Sequence, residues 1–537
     1  MIFGLIRKRN GNWRDDTLSG LTVALALVPE AIAFSFIAGV GPLVGLWAAV
    51  FMGLITSGFG GRPGMISGST GAIAIVVGLV VREGNKHGAE IGVEDLGIQY
   101  LFAVIMIAGI IQILFGLAKL GRFIRLVPHP VMIGFVNGLA IVILLGQFDF
   151  FKMKNPNFDP SNPDSPARIL MDNGLVSFCF LIAATMAIIQ FFPKLTKAVP
   201  SILVSILVVG GISAMGLIET KTIADVLEEG WGSRELSSSL PVLSLPTDIP
   251  WKMDGVALLI IGTAFSAAMV GIIESLMTLQ LIDDMTETRG SGNRECLAQG
   301  GANLLSGLFG GMGGCAMIGQ SLINIKSGGR GRWSGIVAAL TLALFILFAG
   351  PIIVQIPIAA LVGVMFMVVI GTFEWSSLRT FGKVPFHEIV IIITVTLITV
   401  FLHNLALAVF VGVILSALVF AWESAKHVRL RRDDRQEGVR IYNLQGVLYF
   451  GSVREFGERL VPSNDPDEVI IDFKEARVAD FSSLEALNAI TERYKSAGKR
   501  VRLRHLSPAC AEMIDCASEF VTVEIADDDP QYLPANL

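Results

Sequence analysis

Apolar runs recur along the first 425 residues, separated mostly by short polar loops. They fall at 18–37, 43–58, 69–81, 99–119, 130–147, 174–192 and 198–217. After a hydrophilic stretch at 219–252 they resume near 254–282, 294–311, 316–326, 334–355, 358–372, 387–402 and 405–422. A helix needs about 20 apolar residues to cross a bilayer core, and most of these runs have that length or nearly so. The pattern predicts an α-helical membrane protein with about fourteen spans in two sets of seven. Two runs, 69–81 and 316–326, are short, and each adjoins a glycine-rich segment: Ser67-Gly68-Ser69-Thr70-Gly71-Ala72 and Gly310-Gly311-Met312-Gly313-Gly314-Cys315-Ala316. Past Trp422 the period changes. Val439 to Leu444 alternates like a strand, Gly446 reads as a turn, and Val447 to Phe450 reads as a second strand. Glu468–Phe473 and Arg500–Leu503 read as further strands, interleaved with helical patterns at 453–461, 482–497 and 507–515. Strands alternating with helices predict a small α/β domain. The expected divisions are a transport domain at 1–425, a juxtamembrane linker at 426–436 and the α/β domain at 437–537.

Composition agrees. Apolar residues make up 53% of the chain and charged residues 16%, where soluble proteins carry about 25% charge. The net charge of −5 and the lack of a basic face give no reason to expect nucleic acid as a partner. Cys179, Cys296, Cys315, Cys510 and Cys516 show no metal-ligand spacing and read as reduced thiols. Met1 to Asp16 is basic and amphipathic and lacks the features of a cleavable signal; the first span is expected to anchor the chain.

Loop charges orient the spans. Alternate loops carry Arg62, Arg122, Arg125, Lys194, Lys197, Arg289, Arg294, Lys326, Arg330, Arg332, Arg379 and Lys383. The intervening loops are mostly acidic or short, with exceptions at Arg82, Lys86, Lys152, Lys154, Arg168, Lys221 and Arg234. The positive-inside rule then places both termini in the cytoplasm, of a bacterial inner or plasma membrane protein. The basic cluster Lys426 to Arg432, with His427 inside it, reads as an anchor against anionic lipid.

Candidate chemistry gathers at 254–332. Glu274 lies inside an apolar run, where an acidic side chain costs roughly 2.5–3.5 kcal/mol on insertion scales and is kept for a partner or a task. Thr278 lies four residues on, hence on the same helical face. Glu30, beside Pro29, is a second acidic residue within a span. Glycine-rich backbone at bilayer depth is tolerated where it is buried or lines a cavity. Two such interrupted segments in corresponding halves point to an inverted-repeat transporter, with broken helices aiming N–H groups at an anion. Glycines alone equally suit close helix packing; the mid-membrane Glu274 turns the reading to transport.

Longer motifs carry a resemblance. They are Asp16-Thr17-Leu18-Ser19-Gly20-Leu21-Thr22 through Pro29-Glu30-Ala31-Ile32-Ala33, Gly41 to Leu46, Asn293-Arg294-Glu295 with Gln299 to Asn303, Asn324 to Gly329, and Gly446 to Gly451. Over nearly its whole length the chain resembles the sulfate permease (SulP) anion transporters with a C-terminal STAS domain. The resemblance implies a seven-plus-seven inverted repeat, a core domain moving against a gate domain, and a cytoplasmic STAS domain with a regulatory or dimer-packing role. It also implies a homodimer and an anion site between two half-helices. By position, Thr70, Gly71 and Ala72 would offer backbone N–H groups from the first, and Ala316, Met317 and Ile318 from the second. Glu274 and Thr278 match positions that hold Na⁺ in sodium-coupled bicarbonate relatives, where Ile318 would be a hydroxyl residue. No other metal or cofactor is expected. Many members carry Gln where this chain has Glu30, which makes Glu30 a pathway candidate. Mammalian chloride exchangers carry Arg near the place of Gln320. In the STAS phosphorylation loop, Asp480-Phe481-Ser482-Ser483-Leu484, Phe481 replaces the phosphorylated Ser; Ser482 is expected to cap the following helix, with Glu485 completing a capping box.

Other polar residues read as structural. His129, between two prolines, and His403 with Asn404 are expected in turns, Asn137 in a helix-to-helix hydrogen bond, and Asp283 and Asp284 in solvent or paired with Arg289. His505 receives no role. The expected function is secondary active transport of a small inorganic oxyanion, sulfate first, coupled to H⁺ or Na⁺. A sodium-dependent bicarbonate transporter is the alternative, and dicarboxylates or nucleobases are further substrates of related folds. From a different class, an anion channel would conduct without coupling and a membrane sensor would bind without flux. The absence of a Walker sequence argues against an ATP-driven pump, and no nucleophile–base pair suggests an enzyme.

Overall fold

The computed structural model describes residues 12–121, 127–154, 168–170, 174–196, 200–216, 218, 220–236, 239–379, 382–402, 404–426, 428–436, 438–517 and 523–526. The amphipathic start with Arg7, Lys8 and Arg9, the loop residues Arg122, Arg125 and Lys197, and His403 and His427 lie outside the described residues. The chain divides into two units, Met1–Val413 and Ile414–Leu537.

All of the predicted spans have a helix. The first set is α1 (Trp13–Ala38), α2 (Pro42–Phe59), α3 (Gly71–Ile91), α4 (Leu96–Leu117), α5 (His129–Gln147), α6 (Leu175–Phe191) and α7 (Ser201–Ala214). A short α8 (Ile223–Trp231), closed by the Thr222–Asp225 capping box, lies in the hydrophilic stretch. The second set is α9 (Val256–Thr286), α10 (Gly292–Leu308), α11 (Ile318–Lys326), α12 (Arg332–Phe348) with the one-turn α13 (Gly350–Ile353), and α14 (Ile358–Thr372). It continues, after the one-turn α15 (Ser376–Arg379), with α16 (Phe386–Leu402) and α17 (Leu405–Lys426). Two-residue strands β1 (Ser67–Gly68) and β4 (Cys315–Ala316) precede α3 and α11. A further hairpin pairs β2 (Lys152–Lys154) with β3 (Arg168–Leu170).

The helices sort into two groups by packing. In one, α4 lies along α10 and α9, and α1 and α2 lie along α12. In the other, α5 packs on α16 and α14, and α6 on α14 and α7. Small residues set the closest approach: a Cβ on Gly109 of α4 would meet the Gly300 carbonyl of α10 at 2.6 Å, so only backbone-to-backbone packing fits. Large apolar side chains such as Val176, Leu258 and Phe348 are more than three-quarters exposed, as lipid-facing positions are.

The loop alternation is reproduced. Asp16 accepts hydrogen bonds from the Arg330 and Gly331 N–H groups, and Arg62 ion-pairs with Asp283 at 3.0 Å, which gathers loops expected on one side. Thr222 bridges to Pro357, joining two loops expected on the other. Asp283 thus pairs with Arg62 and also accepts from the Gly290 N–H, which corrects its expected pairing with Arg289. Asn137 joins two segments as expected, donating to Ser377 Oγ at 3.0 Å and accepting from the Glu374 N–H. His129 is the first residue of α5 rather than a turn residue.

The second unit holds a five-stranded sheet in the order β5-β6-β7-β8-β9, parallel except for β5. Its strands are β5 (Arg429–Gln436), β6 (Val439–Leu448), β7 (Glu468–Val478), β8 (Arg500–Arg504) and β9 (Glu524–Ile525). Helices α18 (Val453–Arg459), α19 (Phe481–Ser496) and α20 (Pro508–Cys516) alternate with them. The core is Leu444, Val469, Ile471, Phe473 and Leu503 against Leu487 and Tyr494. Three expectations change here. Most of the stretch expected as a linker, 426–436, is strand β5, whose charged sequence suits a sheet edge. Gly446 does not end a strand; at φ 103° it sits inside β6, beside the register shift at Asn443/Gln445. Asp480, not Ser482, caps α19, accepting from the Ser483 N–H at 3.0 Å. A carboxylate there answers both the open N–H groups and the helix dipole.

Candidate functional site

The first unit is organised around the contact between β1 and β4. The strands pair antiparallel, Ser67 with Ala316 and Gly68 with Cys315. The helices that follow them, α3 and α11, both have their N-cap residues within two residues of this pairing, so both N-termini border the crossing. The glycines permit the approach: a Cβ on Gly314 would collide with the Gly68 carbonyl oxygen. Side chains brace the loop. Asn303 accepts from the Gly314 N–H at 2.8 Å and donates to the Gly314 carbonyl and to Gln112. Gln299 donates to Ser67 Oγ, and Ser321 Oγ accepts from the Ile66 N–H.

Neither helix end is closed. Thr70 and Met317 occupy the N-cap positions without a capping side-chain bond, and both are buried. The first backbone bonds close only at Ala74 N–H to Thr70 O and Ser321 N–H to Met317 O. The first-turn N–H groups are therefore those of Gly71, Ala72 and Ile73 on one side, and Ile318, Gly319 and Gln320 on the other. Open helix ends of this kind are ready anion sites. Of the donors expected on the second arm, Ala316 N–H is committed to Ser275 Oγ at 3.1 Å and Met317 N–H to the Ile66 carbonyl at 2.9 Å. The α9 side chain takes one and the backbone beside β1 the other, and the open turn begins at Ile318.

The expected coupling residues lie beside this crossing. Glu274 is buried on α9 and accepts a hydrogen bond from the Cys315 thiol at 2.9 Å; Cys315 Sγ also lies 3.1 Å from Thr70 Oγ1. A line of contacts thus runs from the first half-helix through β4 to the carboxylate. Thr278 turns its hydroxyl back to the Glu274 carbonyl of its own helix, at 2.8 Å. Glu30, buried on α1, accepts from Gln320 Nε2 at 2.8 Å. Two positions that the resemblance singled out therefore touch each other. Among the described residues no lysine or arginine ion-pairs with Glu30 or Glu274.

Sequence reasoning did not assign Cys315, Ser275 or Asn303 a role. Their only signal was adjacency: Ser275 follows Glu274, Cys315 sits in the glycine-rich segment, and Asn303 belongs to a quoted motif. A cavity of about 250 Å³, lined by Arg62, Pro63, Thr286, Thr288, Ile325 and Arg330, lies at the opposite end of α11 and is separate from the crossing.

A family model described as the sulfate permease family matches residues 13–395, and a STAS domain model matches residues 432–527. The Bacillus subtilis protein named "Putative sulfate transporter YbaR" is 39% identical over 95% of this chain and 98% of its own length. The bicarbonate transporter BicA of Picosynechococcus is 31% identical over 90% of this chain and 87% of its own. Among solved structures, the transmembrane domain of a cyanobacterial BicA superposes with a TM-score of 0.60 at 28% identity, covering 75% of this chain and 97% of that one. Murine Solute Carrier 26 family member A9 shares the fold, with a TM-score of 0.77 at 19% identity over 97% of this chain and 91% of that one.

Proposed function

The chain belongs to the sulfate permease family, and from that premise we propose that this integral membrane protein is a secondary active transporter of a small inorganic oxyanion, sulfate first. It works by alternating access, with both termini in the cytoplasm. The observation that carries the reading is the pair of uncapped helix N-termini, their cap residues buried, bordering one strand crossing, with a carboxylate hydrogen-bonded into it. An oxyanion bound there takes hydrogen bonds from the first-turn N–H groups of α3 and α11 and the positive ends of both dipoles. Glu274 supplies a negative charge that must be neutralised when the anion arrives, so cation and anion move together.

The donor set favours H⁺ over Na⁺ as the coupling ion. A hard cation takes a shell of oxygen ligands. Here Thr278 donates to its own helix carbonyl and keeps its oxygen lone pairs for a cation, but Ile318 supplies hydrocarbon where a further hydroxyl would serve. The likeness to bicarbonate transporters supports a second reading, bicarbonate carried with Na⁺.

Both are tested by uptake of labelled sulfate and bicarbonate into proteoliposomes with imposed H⁺ or Na⁺ gradients, comparing wild type with Glu274→Gln. Proton-driven sulfate uptake that the substitution weakens is the expected result. Sodium-dependent bicarbonate uptake selects the second reading. Binding without flux of either anion would turn the protein into a sensor, and conductance without coupling into a channel.

A further inference from the structure

The coupling carboxylate of the proposed cycle is not alone at the second half-helix. Glu274 bonds Cys315 in the strand that precedes it, and Glu30 reaches its first turn through Gln320. The Glu30–Gln320 contact is chemically incomplete as it stands. Gln320 is buried, its Nε2 donates to Glu30 Oε1, and its own Oε1 has no hydrogen-bond partner. A buried amide oxygen left without a donor is an unfavourable arrangement. An ionised carboxylate cannot relieve it, because it has no hydrogen to give. A protonated carboxyl can: its C=O accepts from Nε2 while its O–H donates to Oε1. That is the two-bond ring that a carboxylic acid and a primary amide form side by side.

The surroundings offer no other counter-charge. On the elements packed against α1 (α2, α3, α7, α11, α12 and α14), no described basic or acidic side chain hydrogen-bonds or ion-pairs with Glu30. The titratable group facing Glu274 is the Cys315 thiol. Each carboxylate therefore needs a mobile cation of its own before a dianion can occupy the adjoining helix ends.

We infer that Glu30 and Gln320 form a second proton site, so that the transporter carries two protons with each sulfate dianion and the cycle moves no net charge. The inference rests on the sulfate-transport reading above. One proton rides on Glu274, the other on Glu30, and both leave on the side where the anion leaves.

Steady-state accumulation of labelled sulfate in proteoliposomes of the full chain tests it, because an accumulation ratio does not depend on how much of the protein is active. For wild type, each unit of imposed pH difference is expected to change the ratio about a hundredfold, against about tenfold for a single proton. A valinomycin-clamped potassium potential of either sign is expected to leave the ratio unchanged. In Glu30→Gln, whose side-chain carbonyl still accepts from Gln320, the pH dependence should fall to about tenfold per unit. An inside-positive potential should then raise accumulation about tenfold per ~60 mV. A wild-type ratio that follows the potential, or changes only tenfold per pH unit, overturns the inference whether or not the variant folds. So does a Glu30→Gln protein that keeps the hundredfold dependence. If wild type accumulates no sulfate under any gradient, the transport reading fails, and the second proton site with it.

Discussion

Two kinds of helix beginning coexist in this chain. In the second unit, α19 is closed by Asp480 and α20 by Ser507, each accepting from a backbone N–H three residues on. In the first unit, α3 and α11 begin on Thr70 and Met317 with no side-chain cap, although both cap residues are buried. A closed end is finished structure. An open end leaves first-turn N–H groups that a ligand can take, and α3 and α11 present theirs beside the β1–β4 pairing.

The comparison is broken most completely by closing an open end from within. No heavy atom lies within 4 Å of where a Gly319 Cβ would stand. Gly319→Asp should place a tethered carboxylate at the second position of α11, where acidic groups are stabilising by about 0.3–1 kcal/mol. Sulfate uptake should fall to the level of empty liposomes while the protein keeps its elution position and thermal transition; undiminished uptake would remove α11 from the anion site. Glu274→Gln should lower the pH dependence of accumulation to about the tenfold per unit that the Glu30 proton alone supports, yet leave anion binding measurable by calorimetry, because it removes one coupled charge and spares the N–H groups.

A milder change tests the line of contacts between the arms. A hydrogen bond to a charged group contributes about 1.5–3 kcal/mol, so Cys315→Ala should slow uptake about tenfold or more. Cys315→Ser, whose hydroxyl also donates to Glu274, should restore most of it. Equal rates in the two variants would show that the thiol only fills space.

The smallest effect comes from opening a closed end. Asp480→Ala should cost the second unit about 1 kcal/mol, read as a lower urea midpoint for loss of amide protection in β6 and α19, with sulfate uptake unchanged. The same carboxylate supplies a pH test. Burial works against its charge, but hydrogen bonds from the Ser483 side chain and the Phe450 and Ser483 N–H groups outweigh it and hold Asp480 below the usual carboxylate range. Asp472 is held low in the same way, burial being outweighed by Arg504, the Lys474 N–H and His505. Groups depressed on folding stabilise above their unfolded value, near 4, and lose that contribution as pH falls through the folded one. The second unit should therefore hold constant stability above about pH 5 and weaken below about pH 4.

The sequence by itself determined the spans, their division into two sets, the α/β domain and the two short glycine-interrupted segments. These follow from hydropathy and period, and the bilayer enforces both along each segment separately. Glu274 and Glu30 were legible for the same reason, since an acidic residue in an apolar run stands out without any neighbour. Only the tertiary structure decided what those residues touch. Ser67 pairs with Ala316 across 249 positions of chain; Ser275 Oγ takes the Ala316 N–H and the Ile66 carbonyl takes that of Met317, so the open turn begins at Ile318. Glu30 meets Gln320, and Cys315 stands between Thr70 and Glu274. Strand β5 was missed because an edge strand needs backbone partners but little apolar surface, so its charged sequence carries almost no periodic signal. Local patterns record what each segment must bury; hydrogen bonds between distant segments leave no period to read.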